Sequence, residues 1–218
     1  MFYEPDLNNH GLPFNPFKSC VVPRPIAWIS TINANGAVNL APFSQAAMVG
    51  SDPPYVMFSA GGHEIEGKRK DSVENAEASG EFVYNLATYD LREGVNISGQ
   101  ITDSGIDEMK AAGLTPAPST LIKPPRVAES PINLECRIEQ IMKLPGKSWS
   151  GTVWMVIGRV VGIHIKDEFI MADGKLDIAR LKPLARLGYM DYTSVDHVFE
   201  MGAIDDAQAG TWRKAMGG

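Results

Sequence analysis

The stretch PRPIAWISTINANGAVNLAPFS, residues 23–44, joins a strand pattern to an unusual number of polar side chains. Apolar residues alternate over 21–32, which predicts a β-strand. Residues 33–36 predict a tight turn, because Asn and Gly tolerate positive φ, and 37–43 predict the returning strand, ended by Pro42. Strands that only pack in a core rarely hold so many hydrogen-bonding residues. We therefore expect either a ligand along one side of this hairpin or a barrel rim that faces water.

The rest of the chain alternates further strands with short helices. We predict strands over 55–60, 81–87, 132–144 and 152–166, and helices over 72–79, 89–98 and 106–112. Asp71 is the predicted N-cap of the first of these helices, with Glu74 completing a capping box, and residues from 191 on predict a helix or a loop. Strands do not alternate regularly with long helices, so a Rossmann sheet is disfavoured. A closed antiparallel barrel with helical insertions is expected instead.

Length and composition indicate one ordinary globular domain. The chain of 218 residues is 44% hydrophobic and 21% charged, which is enough apolar material for a substantial core. We predict a single domain over 1–218, with an N-terminal arm over 1–20 and a C-terminal tail over 193–218. The formal net charge of −6 disfavours a general nucleic-acid binder.

The N-terminus and the two cysteines bear on the compartment. The first residues lack a basic region followed by an apolar segment, and no apolar run in the sequence reaches transmembrane length. We therefore expect a cytoplasmic protein that does not bind a membrane. Cys20 and Cys136 are too few for a disulfide framework, and we expect both to be reduced.

Several common catalytic motifs are missing from the sequence. It contains neither the G-x-S-x-G nucleophile elbow nor the dinucleotide-binding G-x-G-x-x-G. The four histidines lack the spacing of metal ligands, so we expect no metal site. Residues 62–69 are close to a phosphate-binding P-loop, but Arg69 stands where that motif needs Ser or Thr, which favours a chance match.

A cluster of basic residues directly precedes a predicted helix. Residues 68–70 are Lys-Arg-Lys, and the helix that follows offers N–H groups and a positive dipole end to an anion. Ser72 adds a hydroxyl in the first turn, and Asn75 lies one turn further on. Arg24, held extended between two prolines, could supply a second guanidinium. A solvated basic loop beside an ordinary helix start would show the same pattern.

A series of segments in the order of the chain carries a family resemblance. These are RPIAWISTINANGAVNLAPFS, SDPPYVMFSA, KDSVENAEASGEFVYNLA, AGLTPAPS, KPPRVAESPINLEC, VIGRVVGIHI and LKPLARLGYMDY. Spread over 21–192, they resemble the flavin reductase-like family of FMN-binding split barrels. The resemblance implies a mainly β fold, a Greek-key split β-barrel with short helical insertions, which is usually a homodimer. It also implies bound FMN that receives hydride from NADH or NADPH, and in many members a partner monooxygenase that uses the reduced flavin.

The resemblance further implies which residues would bind FMN. The flavin and its ribityl chain would lie against Ser30, Thr31, Asn39, Ala41, Pro42, Phe43 and Ser44. The ring would have Phe58, Ser59 and Ala60 beside it. The phosphate would be held by Lys70, Asp71, Ser72 and Asn75, with Arg24 as a further contact. The hairpin KLPGKSWSGTVW, residues 143–154, is longer and more aromatic than is usual in the family, which leaves substrate access open.

Few catalytic side chains are expected, because hydride passes directly between stacked rings and the protein supplies position and electrostatics. His164 is the candidate catalytic helper, since it interrupts an apolar strand; a structural histidine at a strand end is the alternative. Tyr189 borders a nicotinamide pocket or simply packs. Trp28 is assigned to the core, because its neighbours alternate as in a buried strand.

Two other functions remain open at the level of sequence. One is an FMN-binding carrier without turnover, and the other is a split-barrel protein that binds a different planar ligand, such as haem or a pyridoxal derivative. The absorbance spectrum of the protein, with and without NADH, separates these three possibilities.

Overall fold

The computed structural model describes residues 1–63, 65, 67–100 and 106–201. The strands are Arg24–Pro25 (β1), Ala27–Ile32 (β2), Val38–Phe43 (β3), Ala46–Ser51 (β4), Pro54–Gly61 (β5), Glu81–Leu86 (β6), Pro116–Ala117 (β7), Arg126–Val127 (β8), Ile132–Leu144 (β9), Val153–Ile165 (β10), Leu184–Gly188 (β11) and Asp191–Ser194 (β12). The helices are Phe17–Cys20 (α1), Asp71–Ser79 (α2), Arg92–Gln100 (α3), Glu108–Ala111 (α4) and Ile178–Leu181 (α5), with 3₁₀ turns at Tyr89–Leu91 and Asp167–Phe169.

The main sheet contains seven antiparallel strands in the order β3-β2-β6-β9-β10-β5-β4. Its two edge strands, β3 and β4, are separated in sequence by residues 44 and 45 alone. The sheet must therefore curl until its edges meet, which produces a barrel whose two edges are not hydrogen-bonded to each other. A smaller sheet has the order β1-β11-β12, and β7 pairs with β8.

Aromatic side chains fill the inside of the barrel. Phe58 is fully buried, and its ring lies 5.0 Å from that of Phe43 and 5.3 Å from that of Phe82. Gly158 lies against Phe82, because a Cβ at this position would come within 2.5 Å of the ring. A side chain there would displace a fully buried aromatic, so the barrel wall requires glycine at this point.

Three helices cover the β2–β3 hairpin from outside the barrel. Helix α2 packs against β2 and β3, and helices α3 and α4 both pack against β3. Trp28 is fully buried, and its Nε1 donates a hydrogen bond of 2.9 Å to Ser98 Oγ on α3. This confirms the assignment of Trp28 to the core and ties the hairpin to α3.

Several boundaries differ from the sequence-based prediction. The strand predicted over 21–32 breaks at Ile26, since β1 pairs with β11 and only β2 joins the main sheet. The sequence-based prediction also lacks five strands, β4, β7, β8, β11 and β12. Strands β4 and β12 show no clear alternation in the sequence, and β7 and β8 have only two residues each. Pro42 lies inside β3 rather than at its end, and the missing N–H is tolerated because β3 is an edge strand.

The predicted capping box is wrong. Helix α2 has Lys70 as its N-cap, with no side-chain capping bond, and Asp71 is already helical. Glu74 instead accepts a bond of 3.2 Å from the backbone N–H of Arg69. No side chain therefore caps the first backbone N–H groups of α2, and these groups can donate to another group.

The predicted free thiols are confirmed, with Cys20 exposed and Cys136 buried. None of the described helices is both long and apolar enough to cross a membrane.

Candidate functional site

A cavity of about 130 Å³ lies where β3, the start of α2 and the end of α3 meet. We call it the hairpin–helix cavity. Seven of the residues predicted to bind the cofactor line it: Asn39, Ala41, Pro42, Phe43, Lys70, Asp71 and Ser72. Four residues that were not predicted also line it: His63, Ser98, Gly99 and Glu108. Asn39 from the hairpin and Lys70 from the basic cluster before α2 therefore face one space.

A second cavity of about 110 Å³ lies next to the first. The two share Asn39 and Asp71, and Asn75 lines the second. The predicted residue Asn75 is thereby placed beside the same helix start, one turn further along α2.

Two side-chain hydrogen bonds join the hairpin to α2. Asn39 Nδ2 donates to Ser72 Oγ at 2.8 Å, and Asn75 Nδ2 donates to Thr31 Oγ1 at 3.3 Å. Asn39, Ser72 and Thr31 are all buried, so these contacts hold the helix start against the strands. Thr31 thus contacts Asn75 and does not line the hairpin–helix cavity.

The N-terminus of α2 suits an anion. No side chain caps the helix, and the first N–H groups of any α-helix have no intrahelical partner. Lys70 lines the cavity, and no ion pair among the described residues involves it. A positive helix end, an ammonium group and the Ser72 hydroxyl together favour a phosphate-sized anion.

Glu108 introduces a buried carboxyl group into the same cavity. It is 6% exposed, and its Oε2 accepts a bond of 3.1 Å from the backbone N–H of Leu40. Burial raises the pKa of this carboxyl above its ordinary value, and the nearby carboxylates of Asp71 and Asp107 raise it further, against the opposing effect of the backbone bonds. Nothing in the sequence shows that α4 folds back onto the hairpin, so Glu108 could not be identified as a site residue in advance.

Five predicted residues lie outside the cavity, in the barrel wall or at its edge. Ser30 is fully buried, and its hydroxyl donates to Pro125 O at 2.6 Å and accepts from Asn85 Nδ2 at 3.1 Å. Phe58 and Ala60 are core residues. The remaining two, Ser44 and Ser59, are half-buried and do not line the cavity.

Arg24 also lies away from the cavity. It belongs to β1, and its guanidinium donates to the backbone carbonyls of Lys18 and Val21, the latter at 2.7 Å. The arginine therefore holds the end of the N-terminal arm against the small sheet. The two flanking prolines keep Arg24 extended, as predicted. The direction of its side chain depends on contacts with the N-terminal arm, whose sequence shows no clear pattern.

His164 lies at the opposite end of β10 from the loop that lines the cavity. Val153, at the near end, pairs with Gly61, while His164 pairs with Asn133 near the far end. A strand of 13 residues is about 40 Å long at roughly 3.3 Å per residue. The structure therefore does not bring His164 into the hairpin–helix cavity.

The imidazole of His164 is engaged by a buried carboxylate. Its Nε2 lies 2.5 Å from Oε1 of Glu135, whose side chain is fully buried. Glu135 also accepts from the backbone N–H groups of Thr120, at 2.6 Å, and Leu121, at 2.7 Å. Burial favours the neutral acid, but these hydrogen bonds together outweigh it and hold the pKa of Glu135 below its ordinary value. This arrangement is close to the structural alternative considered for His164.

Tyr189 lies on the surface at the turn between β11 and β12, with positive φ, and its ring contacts that of Phe14 from the N-terminal arm.

Within the described residues, His, Cys, Asp and Glu form no group of three or more that could hold a metal ion.

Comparison with known proteins places the chain in a family. Residues 19–179 match the model of the flavin reductase like domain. A protein of Halalkalibacterium halodurans is 35% identical over 201 residues, which covers 92% of this chain and 95% of that protein. These two matches cover most of the barrel, the β2–β3 hairpin and the start of α2.

Two solved structures are similar to this chain over nearly their whole length. Nitrilotriacetate monooxygenase component B from Bacillus cereus superposes with a TM-score of 0.84 at 28% identity, covering 92% of this chain and 98% of that one. A Shewanella frigidimarina protein with a split barrel domain superposes with a TM-score of 0.77 at 21% identity, covering 93% and 99%, and shows the fold alone. The predicted mainly β split barrel is confirmed. The chain belongs to the flavin reductase-like family, and its function is a flavin-related one.

Proposed function

We propose that this protein is an oxidoreductase that binds FMN at the hairpin–helix cavity and uses NADH or NADPH to reduce it. One observation carries the proposal: the hydrogen bond between Asn39 and Ser72 joins the polar side of the hairpin to an uncapped helix start inside one cavity. Membership of the flavin reductase-like family supplies the chemical class.

The phosphate of FMN would lie at the start of α2. Lys70 provides a positive charge there and Ser72 a hydroxyl. Asp71 would contribute only its backbone N–H, because its carboxylate repels a phosphate. Asn39 and Asn75 would present amide groups to the phosphate or to the first ribityl hydroxyls.

The ring system would lie mostly outside these cavities. Their volumes, about 130 and about 110 Å³, are below the roughly 300–1,000 Å³ of pockets that enclose a whole drug-sized ligand. The hairpin–helix cavity is lined by Ala41, Pro42 and Phe43 at the end of β3, where Pro42 has no N–H to pair. A flat ring would lie along this edge, and we propose a homodimer in which a second subunit covers it.

FMN held in this site would supply the redox chemistry, since its oxidised ring can take a hydride from NADH or NADPH to give reduced flavin and the oxidised nicotinamide. The residues of this chain would bind and orient the cofactor, and none in the cavity needs to transfer a proton for that step. Bacillus cereus nitrilotriacetate monooxygenase component B is similar over nearly its whole length. We therefore propose a partner monooxygenase as the user of the reduced flavin. A cytoplasmic location and the absence of nucleic-acid or membrane partners stay predictions.

The test is an anaerobic absorbance titration of the purified protein with FMN, followed by addition of NADH or NADPH. The proposal expects bound flavin whose visible absorbance disappears on adding one of the two nucleotides. Bound FMN that stays oxidised with both would favour the carrier function, and a chromophore with a different spectrum would favour another planar ligand.

A further inference from the structure

The turn between β9 and β10, residues 145–152, packs against the loop that leads into α2. Two hydrogen bonds fasten the loop to this turn. The N–H of Gly62 donates to Thr152 O at 2.9 Å, and Nε1 of Trp149 donates to Lys68 O at 2.6 Å. The first bond lies at the beginning of the loop and the second near its end.

The carbonyl of Lys68 accepts two hydrogen bonds, one from the turn and one from the start of the same loop. It accepts from Trp149 Nε1 and also from the backbone N–H of His63, at 3.1 Å. His63 and Lys70 both line the hairpin–helix cavity. The segment that Trp149 holds therefore supplies two residues of the site.

The contact between the turn and the loop is close. A Cβ at position 62 would lie 2.3 Å from Trp149 O, so only glycine fits there. The indole of Trp149 packs against that of Trp154, with ring centroids 5.2 Å apart, and the ammonium of Lys143 lies 5.6 Å from the Trp149 ring. The contact with Trp154 and the nearby ammonium of Lys143 together fix the orientation of the Trp149 ring, and with it the direction of the Nε1 hydrogen bond.

The other end of the loop is fixed to α2. Arg69 forms an ion pair with Glu77 at 2.5 Å, and its backbone N–H bonds to Glu74. Lys70 follows directly, so it lies between the Lys68 carbonyl, which Trp149 holds, and the helix α2. Lys70 also lines the cavity.

We infer that Trp149 is a positioning residue for phosphate recognition and sets the preference of this protein for FMN over riboflavin. The inference rests on the proposed function, because it assumes that the FMN phosphate lies at the start of α2. Trp149 touches neither the phosphate nor the ring in this account. It acts through the carbonyl of Lys68, which fixes the backbone that presents Lys70.

The test compares Trp149→Phe with Ser150→Ala. Phenylalanine keeps a ring against Trp154 but removes the N–H, while Ser150→Ala changes the same turn and leaves the bond to Lys68 intact. Dissociation constants for FMN and for riboflavin are measured by quenching of flavin fluorescence, and thermal unfolding is measured in parallel. Trp149→Phe is expected to weaken FMN binding about three- to tenfold, the range for loss of one neutral hydrogen bond, and to change riboflavin binding less than about twofold. Ser150→Ala should change neither.

Two outcomes overturn the inference. One is an FMN-to-riboflavin preference in Trp149→Phe equal to that of the wild type, and the other is an equal loss for both ligands. If the wild type itself does not prefer FMN, the proposed phosphate site fails first, which distinguishes the two failures. If Trp149→Phe does not fold, Trp149→Leu takes its place, since it keeps an apolar side chain beside Trp154, removes the N–H and must produce the same selective loss.

Discussion

Two regions of the barrel place polar side chains among apolar strand residues, and they differ in what those side chains contact. In the hairpin–helix cavity, Asn39 and Ser72 hydrogen-bond to each other and also face a space. At the far end of β10, Glu135 is fully buried, and its oxygens accept from two backbone N–H groups and His164. A buried polar residue therefore indicates a ligand only where its hydrogen bonds leave a lined space beside it.

The residues predicted from sequence divide along this difference. Ser30 and His164 were both singled out because they interrupt apolar strands, and both prove to be bonded to groups inside the protein. Asn39, in β3, shares this sequence character, and it lines the hairpin–helix cavity, whereas His164 lines a separate cavity of about 340 Å³. Ser30 lines neither cavity. The space beside each residue separates these cases, and that space is formed by distant parts of the chain.

The largest expected effect is on stability, at Glu135. Glu135→Ala leaves the N–H groups of Thr120 and Leu121 without an acceptor and removes the partner of His164. We expect a loss of about 3–5 kcal/mol in the free energy of unfolding, measured by urea denaturation. The affinity of the folded protein for FMN should stay within about twofold of the wild type. A tenfold weaker affinity with unchanged stability would place Glu135 in the functional site instead.

The variant Glu135→Gln tests whether the charge of Glu135 contributes to stability, through the pH dependence of the free energy of unfolding. The pKa of Glu135 is lower in the folded protein than its ordinary value of 4.5, so the carboxylate stabilises the fold above that pH. This contribution disappears as the pH falls through the folded-state pKa. The stability difference between wild type and Glu135→Gln should therefore shrink on acidification below about pH 4.5. A difference that stays constant with pH would show that charge plays no part.

The next largest effect concerns the proposed phosphate site at the start of α2. Replacing Lys70 and Ser72 together by alanine removes a charge and a hydroxyl from the start of α2. We expect FMN to bind about 10- to 100-fold more weakly, while riboflavin binding changes less than about threefold. Lys68→Ala is the matched control, because Lys68 lies in the same loop and its side chain does not line the cavity. Equal losses in the control and in the double variant would contradict a local phosphate site.

A smaller effect is expected at Glu108. The raised pKa of this buried carboxyl means that ionising it as the pH rises costs the folded protein stability. Its negative charge also opposes a phosphate in the same cavity. Glu108→Gln keeps an acceptor for the N–H of Leu40, and it should tighten FMN binding about three- to tenfold at pH 8. Weaker binding in this variant would instead show that the carboxylate accepts a bond from the ribityl chain.

The smallest effect is expected at His164. His164→Asn should cost about 1 kcal/mol of stability through its lost bond to Glu135 and leave the rate of NAD(P)H-dependent flavin reduction within about twofold of the wild type. His197→Asn, at an exposed histidine, serves as the control. A rate reduced tenfold or more, with FMN affinity retained, would establish His164 as a catalytic residue.

The sequence predicts the strands well where alternation and turn chemistry agree. Asn and Gly at 33–36 mark the β2–β3 hairpin, and the many Val, Ile, Leu and Met residues of β9 and β10 give the central hairpin with nearly correct bounds. It misses β4, whose residues are mostly small, and it places the cap of α2 one residue late because Lys70 has no capping side chain. Strand β4 forms because it pairs with its neighbour in the sheet, and that pairing is not visible in the local sequence pattern.

The site could be predicted only in part, for a physical reason. The hairpin and the helix start each have a local sequence pattern, and seven of the residues chosen from those patterns line one cavity. Glu108, Ser98 and His63 enter the cavity through the folding of α3, α4 and a loop over β3. No short-range pattern encodes those long-range contacts. The position of Arg24 depends in the same way on the N-terminal arm.

The most direct measurement for the central claim is a crystal structure of the protein with FMN. The account predicts the phosphate at the start of α2, within hydrogen-bonding distance of Ser72 and reached by Lys70, with the ring along the outer end of β3. A phosphate elsewhere, for example near His164 at the far end of β10, would contradict it.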